Sequence, residues 1–169
     1  MIRSFDGHVP DVADSARVDE TAVVIGDVTI GPEASIWPNV TLRGDNGHIE
    51  IGEGTNIQDN AVCHEPTTIG PDVTVGHTAI VHAATVAERA TIGMGAVVLD
   101  DATVGHHAIV AAGSVVTEGT EVPANTLVAG TPAEVKGEIT DSEWFAAADH
   151  YRDLARRHDE TSERLDEDA

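Results

Sequence analysis

Three of the nine histidines in this chain have a spacing that could bring imidazole rings together around a metal ion. His64 and His82 are 18 residues apart, and His77 lies between them. Three neutral imidazoles with one open coordination position form a catalytic zinc site, whereas a structural zinc site is closed by four protein ligands. The spacing therefore predicts a metal centre with a free position for a small molecule, provided that the fold repeats every 18 residues.

A six-residue period supplies that repeat. The period marks twenty positions from Val12 to Val128, and all of them hold Val, Ile or Leu except Cys63. The count is shifted by a three-residue insertion after Leu42 and by a short step after Val81. Three hexads close one triangular coil of about 18 residues, and stacked coils pair through parallel strands about 4.8 Å apart.

This pattern predicts an all-β solenoid, a left-handed parallel β-helix of hexapeptide repeats, over residues 8–135. Beyond it the period changes to that of a helix, which we expect over residues 140–160 after a capping box that begins at Thr140. The stripe expected to pack on its own or a neighbouring solenoid consists of Trp144, Ala148, Tyr151 and Ala155, and a partner-binding helix is the alternative. Residues 161–169 form an acidic tail.

Composition excludes several classes of function. The net charge of −21, with thirty acidic and nine basic residues, argues against a nucleic-acid partner, because phosphate contacts need a positive surface. The chain has no run of about 20 apolar residues that would predict a membrane span, and its first residues lack the features of a signal peptide. We therefore expect a cytoplasmic protein. An acidic surface with Lys136 as its one lysine indicates a salt-loving source, where salt screens the self-repulsion.

The solenoid decides which histidines can meet. His64 and His82 each follow an inward-facing position, so we expect them to stack at one corner of successive coils, about one strand spacing apart. His77 lies on another face, and the five residues that separate it from His82 can span about 16 Å when extended. We therefore expect His77 of one subunit to join His64 and His82 of its neighbour, in a homotrimer with interfacial metal sites.

Polar residues accompany His77 on its column. Asp59 lies one coil before His77, and Gln58 is beside it. Gln58 could orient a water molecule or a substrate oxygen next to the metal.

Arg43 falls on the column of His64 once the insertion is counted. In a trimer this would bring Arg43 towards Gln58 and Asp59 of the next subunit, as a charge-assisted contact that Asp45 could complete. A purely interfacial role for Arg43, Asp45 and Asp59 remains the alternative.

At these residues the chain resembles the gamma-class carbonic anhydrases, over about residues 8–135. The segments that carry the likeness are 38–45, 56–64, 75–82 and 92–96. The resemblance implies a homotrimer that binds Zn²⁺, or Fe²⁺ or Co²⁺, through His64, His77 and His82. It also implies supporting roles for Arg43, Asp45, Gln58 and Asp59, and a metal-dependent, reversible hydration of CO2 to bicarbonate by a metal-bound hydroxide.

Two departures from the best-known form of that family concern proton transfer. Asn46 stands where that form has a glutamate after the arginine–aspartate motif. A long acidic loop with a shuttle glutamate is replaced by Glu65-Pro66-Thr67-Thr68, as in the short-loop branch. Glu65 is therefore a candidate shuttle, although its position does not match the family's.

Three other functions are compatible with the sequence. An acyltransferase of the same fold would use one interface histidine as a base on acyl-CoA, without metal. An acyl-CoA thioesterase would use the same metal site on a thioester. A metal-stabilised trimeric scaffold would bind metal without turnover.

Overall fold

The computed structural model describes residues 1–140, 147–163 and 165, which form a parallel β-solenoid of about seven turns with one C-terminal helix. The predicted left-handed β-helix is thus confirmed. Short strands separated by turns line three faces, and equivalent strands of successive coils pair in parallel. Faces 1 and 2 belong to one sheet and face 3 is a second sheet.

The strands of face 1 are β1 (Ile2–Arg3), β4 (Val23–Ile30), β6 (Thr41–Ile51), β8 (Val62–His64), β11 (Ile80–His82), β14 (Val97–Val98) and β17 (Val115–Val116). Face 2 shares β4 and β6 and adds β2 (Asp11–Val12), β9 (Thr67–Ile69), β12 (Thr85–Val86), β15 (Thr103–Val104) and β18 (Glu121–Val122). Face 3 contains β3 (Arg17–Val18), β5 (Ser35–Ile36), β7 (Asn56–Ile57), β10 (Thr74–Val75), β13 (Thr91–Ile92), β16 (Ile109–Val110), β19 (Thr126–Ala129) and β20 (Glu134–Glu138).

The hexad residues form the core. All but the first two, Val12 and Val18, are buried, and those two pack against the core at the open end of the solenoid. The small residues at the fifth position, such as Ala61 and Ala79, are fully buried at the corners. Cys63 shares the core position of its neighbours, and burial raises the pKa of its thiol to about 12. Its role is therefore packing, since a thiol in apolar surroundings is inert.

The C-terminal helix, α1, spans Ala147–Thr161 and packs on β5 and β7 of face 3. Ala148 and Ala155 of the expected stripe are buried, and Tyr151 meets the Trp37 ring edge-on, with centroids 5.5 Å apart. Trp144 and the part of the capping box after Thr140 fall on residues 141–146, outside the described residues. Most of the predicted acidic tail also falls outside them.

Arginines fix the helix to the solenoid. Arg152 pairs with Asp72 and Glu33, and Arg156 donates to Glu33 across 2.9 Å. Gly54 makes room for this contact, because a Cβ there would lie 2.1 Å from an Arg152 nitrogen. In the part of the chain that the structure describes, no helix is long and apolar enough to cross a membrane.

Candidate metal centre

His64 and His82 stack at the corner between faces 1 and 2. They end β8 and β11 and are direct partners in the parallel register, as the 18-residue spacing predicts. The ring centroids are 5.1 Å apart, and His64 Nδ1 lies 3.2 Å from His82 Nε2. Both side chains are largely shielded, with 14% and 33% of their surfaces exposed.

Each of the two rings has a carboxylate on its other nitrogen. His82 Nδ1 lies 2.6 Å from Asp100 Oδ1, and His64 Nε2 lies 3.2 Å from Asp45 Oδ1. A carboxylate only accepts hydrogen bonds, so these contacts assign the protons to His82 Nδ1 and His64 Nε2 in the neutral rings. The nitrogens that face each other, His64 Nδ1 and His82 Nε2, then both carry lone pairs.

Two facing lone pairs 3.2 Å apart fit a shared cation. Two imidazole nitrogens about 2.05 Å from a tetrahedral zinc ion are separated by about 3.3 Å. Arg43 Nη2 also reaches His64 Nδ1, at 3.3 Å, and is a donor on this side of the ring. A metal ion that binds His64 through Nδ1 therefore competes with the Arg43 guanidinium.

The excursion in β6 positions Arg43 and Asp45 over His64. Arg43 pairs with His64 in the parallel register, as predicted, and its Nη1 lies 3.3 Å from Asp45 Oδ2. The residue between them, Gly44, has no room for a side chain, because a Cβ there would lie 2.4 Å from the Asp27 carbonyl oxygen. Close contact of β4 and β6 at this corner therefore sets the positions of both side chains.

Glu65 follows His64 directly and stays near it. Its Oε1 lies 3.7 Å from His64 Nε2, and its Oε2 accepts a 2.7 Å hydrogen bond from Asn46. Possible ligand atoms of His64, Glu65 and His82 all lie within 4.8 Å of one another, which makes these residues a candidate metal-binding cluster in one chain.

His77 lies at the other corner of face 1, just after β10 of face 3. Its Nδ1 is 3.0 Å from Asp59 Oδ2, one coil below, as the column count predicts. The ring is 42% exposed. Within the described residues, the candidate cluster does not include His77, because the width of face 1 separates the two corners.

Gln58 is buried beside this corner. Its Nε2 donates to Asn56 Oδ1 across 3.1 Å, and Asn56 Nδ2 donates to Thr74 Oγ1 across 2.9 Å, so the amide is held in place. Gln58 and His77 line one end of a cavity of about 380 Å³ between face 3 and α1. Most of its other lining is apolar, including Ile92, Ile109 and Leu127.

Two residues near the candidate site were missed by the sequence reasoning. Asp100 contacts His82, although the register places Leu99, not Asp100, beside His82, because this coil is one residue shorter. Tyr151 of α1 lines the cavity with Gln58 and His77, and burial, with a smaller effect of Asp59, raises its pKa. Asp100 could have been found from the sequence, because it is a carboxylate one residue beyond the position that aligns with His82 in the next coil. Nothing in the repeat indicated where Tyr151 docks.

Comparison with known proteins places this geometry in context. Residues 83–118 match the family model described as bacterial transferase hexapeptide (six repeats). The chain is 44% identical over 147 residues to a carbonic anhydrase of Geobacillus kaustophilus, covering 85% of this chain and 81% of that protein. It is 41% identical over 171 residues to the mitochondrial gamma carbonic anhydrase 1 of Arabidopsis thaliana, covering 94% of this chain.

The chain spans 62% of the length of that Arabidopsis protein, less than two thirds. Among solved structures, a hexapeptide transferase family protein of Anaplasma phagocytophilum superposes with a TM-score of 0.90 at 43% identity. That alignment covers 92% of this chain and 96% of the other. The likeness therefore extends over most of the chain.

Proposed function

This chain belongs to the gamma carbonic anhydrase family of hexapeptide-repeat proteins, and on that premise we propose that it hydrates CO2 reversibly at metal centres between the subunits of a homotrimer. His64 and His82 of one subunit and His77 of the next would hold a divalent metal, Zn²⁺ or alternatively Fe²⁺ or Co²⁺. When bound, the metal supplies a Lewis acid that lowers the pKa of water to about 7, so that hydroxide is available at neutral pH.

One observation carries this proposal: each of the three histidines has a carboxylate on one ring nitrogen. The contacts are Asp45 with His64, Asp59 with His77 and Asp100 with His82. Histidines that bind metals characteristically donate their second N–H to such an acceptor, which fixes the tautomer and the ring orientation. The arrangement supports metal ligation better than three unrelated polar surface residues.

The separation of the two corners supports an interfacial site. In one chain, His77 lies across face 1 from His64 and His82, and it is the more exposed of the candidate ligands. A symmetric neighbour that covers face 1 would bring its own His77 to the paired histidines. The site is then incomplete in a single chain, and closed symmetry completes one site for each subunit.

The remaining polar residues would bind and orient. Gln58, held by Asn56, offers a fixed amide beside His77 that could orient the attacking water or an oxygen of bicarbonate. Arg43 is held by Asp45 in its own chain, and 46% of its side chain is exposed. It could therefore also reach Asp59 of the next subunit and help to fix the interface.

The deciding experiment combines metal content, oligomeric state and CO2 hydration in the same anaerobic, high-salt preparations. Wild type should elute as a trimer with one metal ion per chain and should hydrate CO2. His77→Ala should bind metal more weakly than wild type, so that it is purified with less than one ion per chain, and it should lose hydration. Its matched control is His48→Ala, because His48 pairs with Asp27 across 2.9 Å and is 46% exposed, much as His77 pairs with Asp59.

His48→Ala should keep both metal and hydration. Wild type that contains no metal after reconstitution with Zn²⁺, Fe²⁺ and Co²⁺ contradicts the three-histidine site. Stoichiometric metal without hydration contradicts carbonic anhydrase activity and favours thioester hydrolysis or a scaffold.

The cavity beside Gln58 and His77 favours a second candidate function, hydrolysis or transfer of an acyl thioester. Its volume of about 380 Å³ lies in the range of sites for small organic ligands, well above the needs of a triatomic substrate. A set of acyl-CoA esters of increasing chain length, assayed on the same preparations, tests this function. Turnover that needs no metal but is lost in His77→Ala would indicate acyl transfer with His77 as the base, whereas turnover that needs metal would indicate thioester hydrolysis.

A further inference from the structure

We propose that Glu65 is a third metal ligand supplied by the same chain as His64 and His82. Each chain then has a two-histidine, one-carboxylate site of its own, which can hold a metal before a neighbouring subunit contributes His77. This proposal rests on the proposed function only in taking the His64–His82 corner as the metal centre.

Distance is the first argument. Ligand atoms of His64, Glu65 and His82 lie within 4.8 Å of one another, without any residue from another chain. Ligands at about 2.0–2.2 Å from one zinc ion can be separated by up to about 4.4 Å. A turn of the Glu65 side chain from the Nε2 edge of His64 towards Nδ1 would bring all three donors to a common ion.

Preorganisation is the second argument. Asn46 Nδ2 donates to Glu65 Oε2 across 2.7 Å, while Oε1 lies 3.7 Å from His64 Nε2, the ring nitrogen that Asp45 also contacts. The Glu65 backbone has a φ of 62°, and Pro66, the next residue, lies against Gly47. Fixing a free glutamate costs side-chain entropy. Here the hydrogen bond from Asn46 already restricts the Glu65 carboxylate before a metal arrives.

Charge is the third argument. Asp45, Glu65 and Asp100 surround the two rings, and 23% of the Glu65 side chain is exposed. Their negative charges repel one another, and Arg43 alone does not balance three carboxylates. A divalent cation bound between the rings offsets this repulsion, and a Glu65 oxygen bound directly to the ion offsets it most.

The donor set also indicates which metals it suits. Two histidines and one glutamate hold zinc in several hydrolases, and two histidines with one carboxylate on a common face are typical of non-haem Fe²⁺ sites. A carboxylate is a harder ligand than imidazole, so Glu65 should shift the preference of the site towards Fe²⁺. A ligand at this position is not free to carry protons, so this role replaces that of the proton shuttle predicted from the sequence.

The test measures Co²⁺ and Zn²⁺ affinity by competition with a chromophoric chelator, together with the visible absorption spectrum of bound Co²⁺. His77→Ala provides the background, because it removes the ligand expected from the neighbour. On that background, Glu65→Gln keeps the size of the side chain and an oxygen for Asn46, but removes the negative donor. Glu50→Gln, at an exposed carboxylate of β6, is the matched control.

The expected result is that His77→Ala still binds one Co²⁺ per chain with measurable affinity. Adding Glu65→Gln should weaken binding by more than about 100-fold, beyond the 10–100-fold typical of residues that only support a ligand. It should also change the intensity and position of the Co²⁺ bands, whereas Glu50→Gln should change neither. Circular dichroism should show that all variants keep the fold.

An affinity within threefold of the His77→Ala background, with an unchanged Co²⁺ spectrum, overturns the role of Glu65. That failure is distinct from failure of the proposed function. If His77→Ala keeps wild-type affinity and full hydration, the interfacial site is wrong, while the effect of Glu65→Gln still reports on Glu65. If Asn46→Ala weakens binding more than Glu65→Gln does, the carboxylate is not the ligand.

Discussion

The two corners that border face 1 carry the same kinds of residue but differ in how much one chain completes. At the His64–His82 corner, two rings contact each other and carboxylates lie on both. Arg43 approaches from the preceding coil, and Glu65 is the residue after His64. At the His77 corner, one ring meets Asp59, and both side chains are more than a third exposed.

This difference separates two tasks within one candidate centre. The first corner is built by register, so its geometry is fixed as soon as the coils stack. The second corner presents a single oriented imidazole to a neighbour, so its contribution depends on assembly. Substitutions at the first corner should therefore act in every assembly state, whereas those at the second should act only in the trimer.

The largest effect is expected from His64→Ala. It removes one ligand and leaves Asp45 and Glu65 without the ring that they contact. Metal affinity should fall by more than about 100-fold in both the trimer and a dissociated chain, beyond the loss typical of supporting residues. Chelator competition at protein concentrations above and below the dissociation constant of the trimer measures the metal affinity in each state. An equal loss for His77→Ala in the dissociated chain would remove the distinction between the corners.

Gly44→Ala should destabilise the first corner through its backbone. A Cβ at Gly44 meets the Asp27 carbonyl oxygen at 2.4 Å, so β4 and β6 must separate. Overpacking of this kind costs about 1–3 kcal/mol. Urea unfolding should show this loss, and metal affinity should fall because Arg43 and Asp45 shift. Gly137→Ala is the control, because an added Cβ there meets nothing within 4 Å and its φ, like that of Gly44, is not positive.

The carboxylate partners should distinguish the corners more finely. Asp100→Asn keeps the size of the side chain but weakens the acceptor for His82 Nδ1, and should lower metal affinity by about 10–100-fold in any assembly state. Asp59→Asn should have a comparable effect only in the trimer, where His77 is a ligand. Metal titrations of both variants at two protein concentrations measure these affinities. If the affinities of the two variants depended on protein concentration in the same way, this prediction would be contradicted.

The smallest effect is expected at Thr78, which follows His77 with a φ of 62°. A β-branched residue is strained in this left-handed conformation, which asparagine tolerates. Thr78→Asn should stabilise the chain by about 0.5 kcal/mol in urea unfolding without changing metal affinity. Thr85→Asn, on the extended strand β12, is the control and should give no gain.

The sequence was most informative where the six-residue period applies. That period predicted the solenoid, its buried positions, the stacking of His64 on His82 and the alignment of Asp59 with His77. Each prediction depends on strands in register, which a periodic pattern specifies directly. The homotrimer and the bound metal remain predictions.

Contacts made by turns and by the helix were less accessible. Asp100 reaches His82 from a turn one residue beyond its register partner, so the path of the turn decides the contact. Tyr151 reaches the cavity because Arg152, Trp37 and Ala155 fix how α1 docks on face 3. Such docking depends on side-chain fit between distant segments, which local spacing does not contain.

Coil length varies in this solenoid without any loss of alignment on its faces. Arg43 and His64 pair across 21 residues, His64 and His82 across 18, and the next coil is shorter still. The extra residues are taken up at the corner where the paired histidines lie. This corner can therefore gain or lose residues while the scaffold stays intact, which makes it a natural place for activities to diverge and for a protein engineer to graft a new loop.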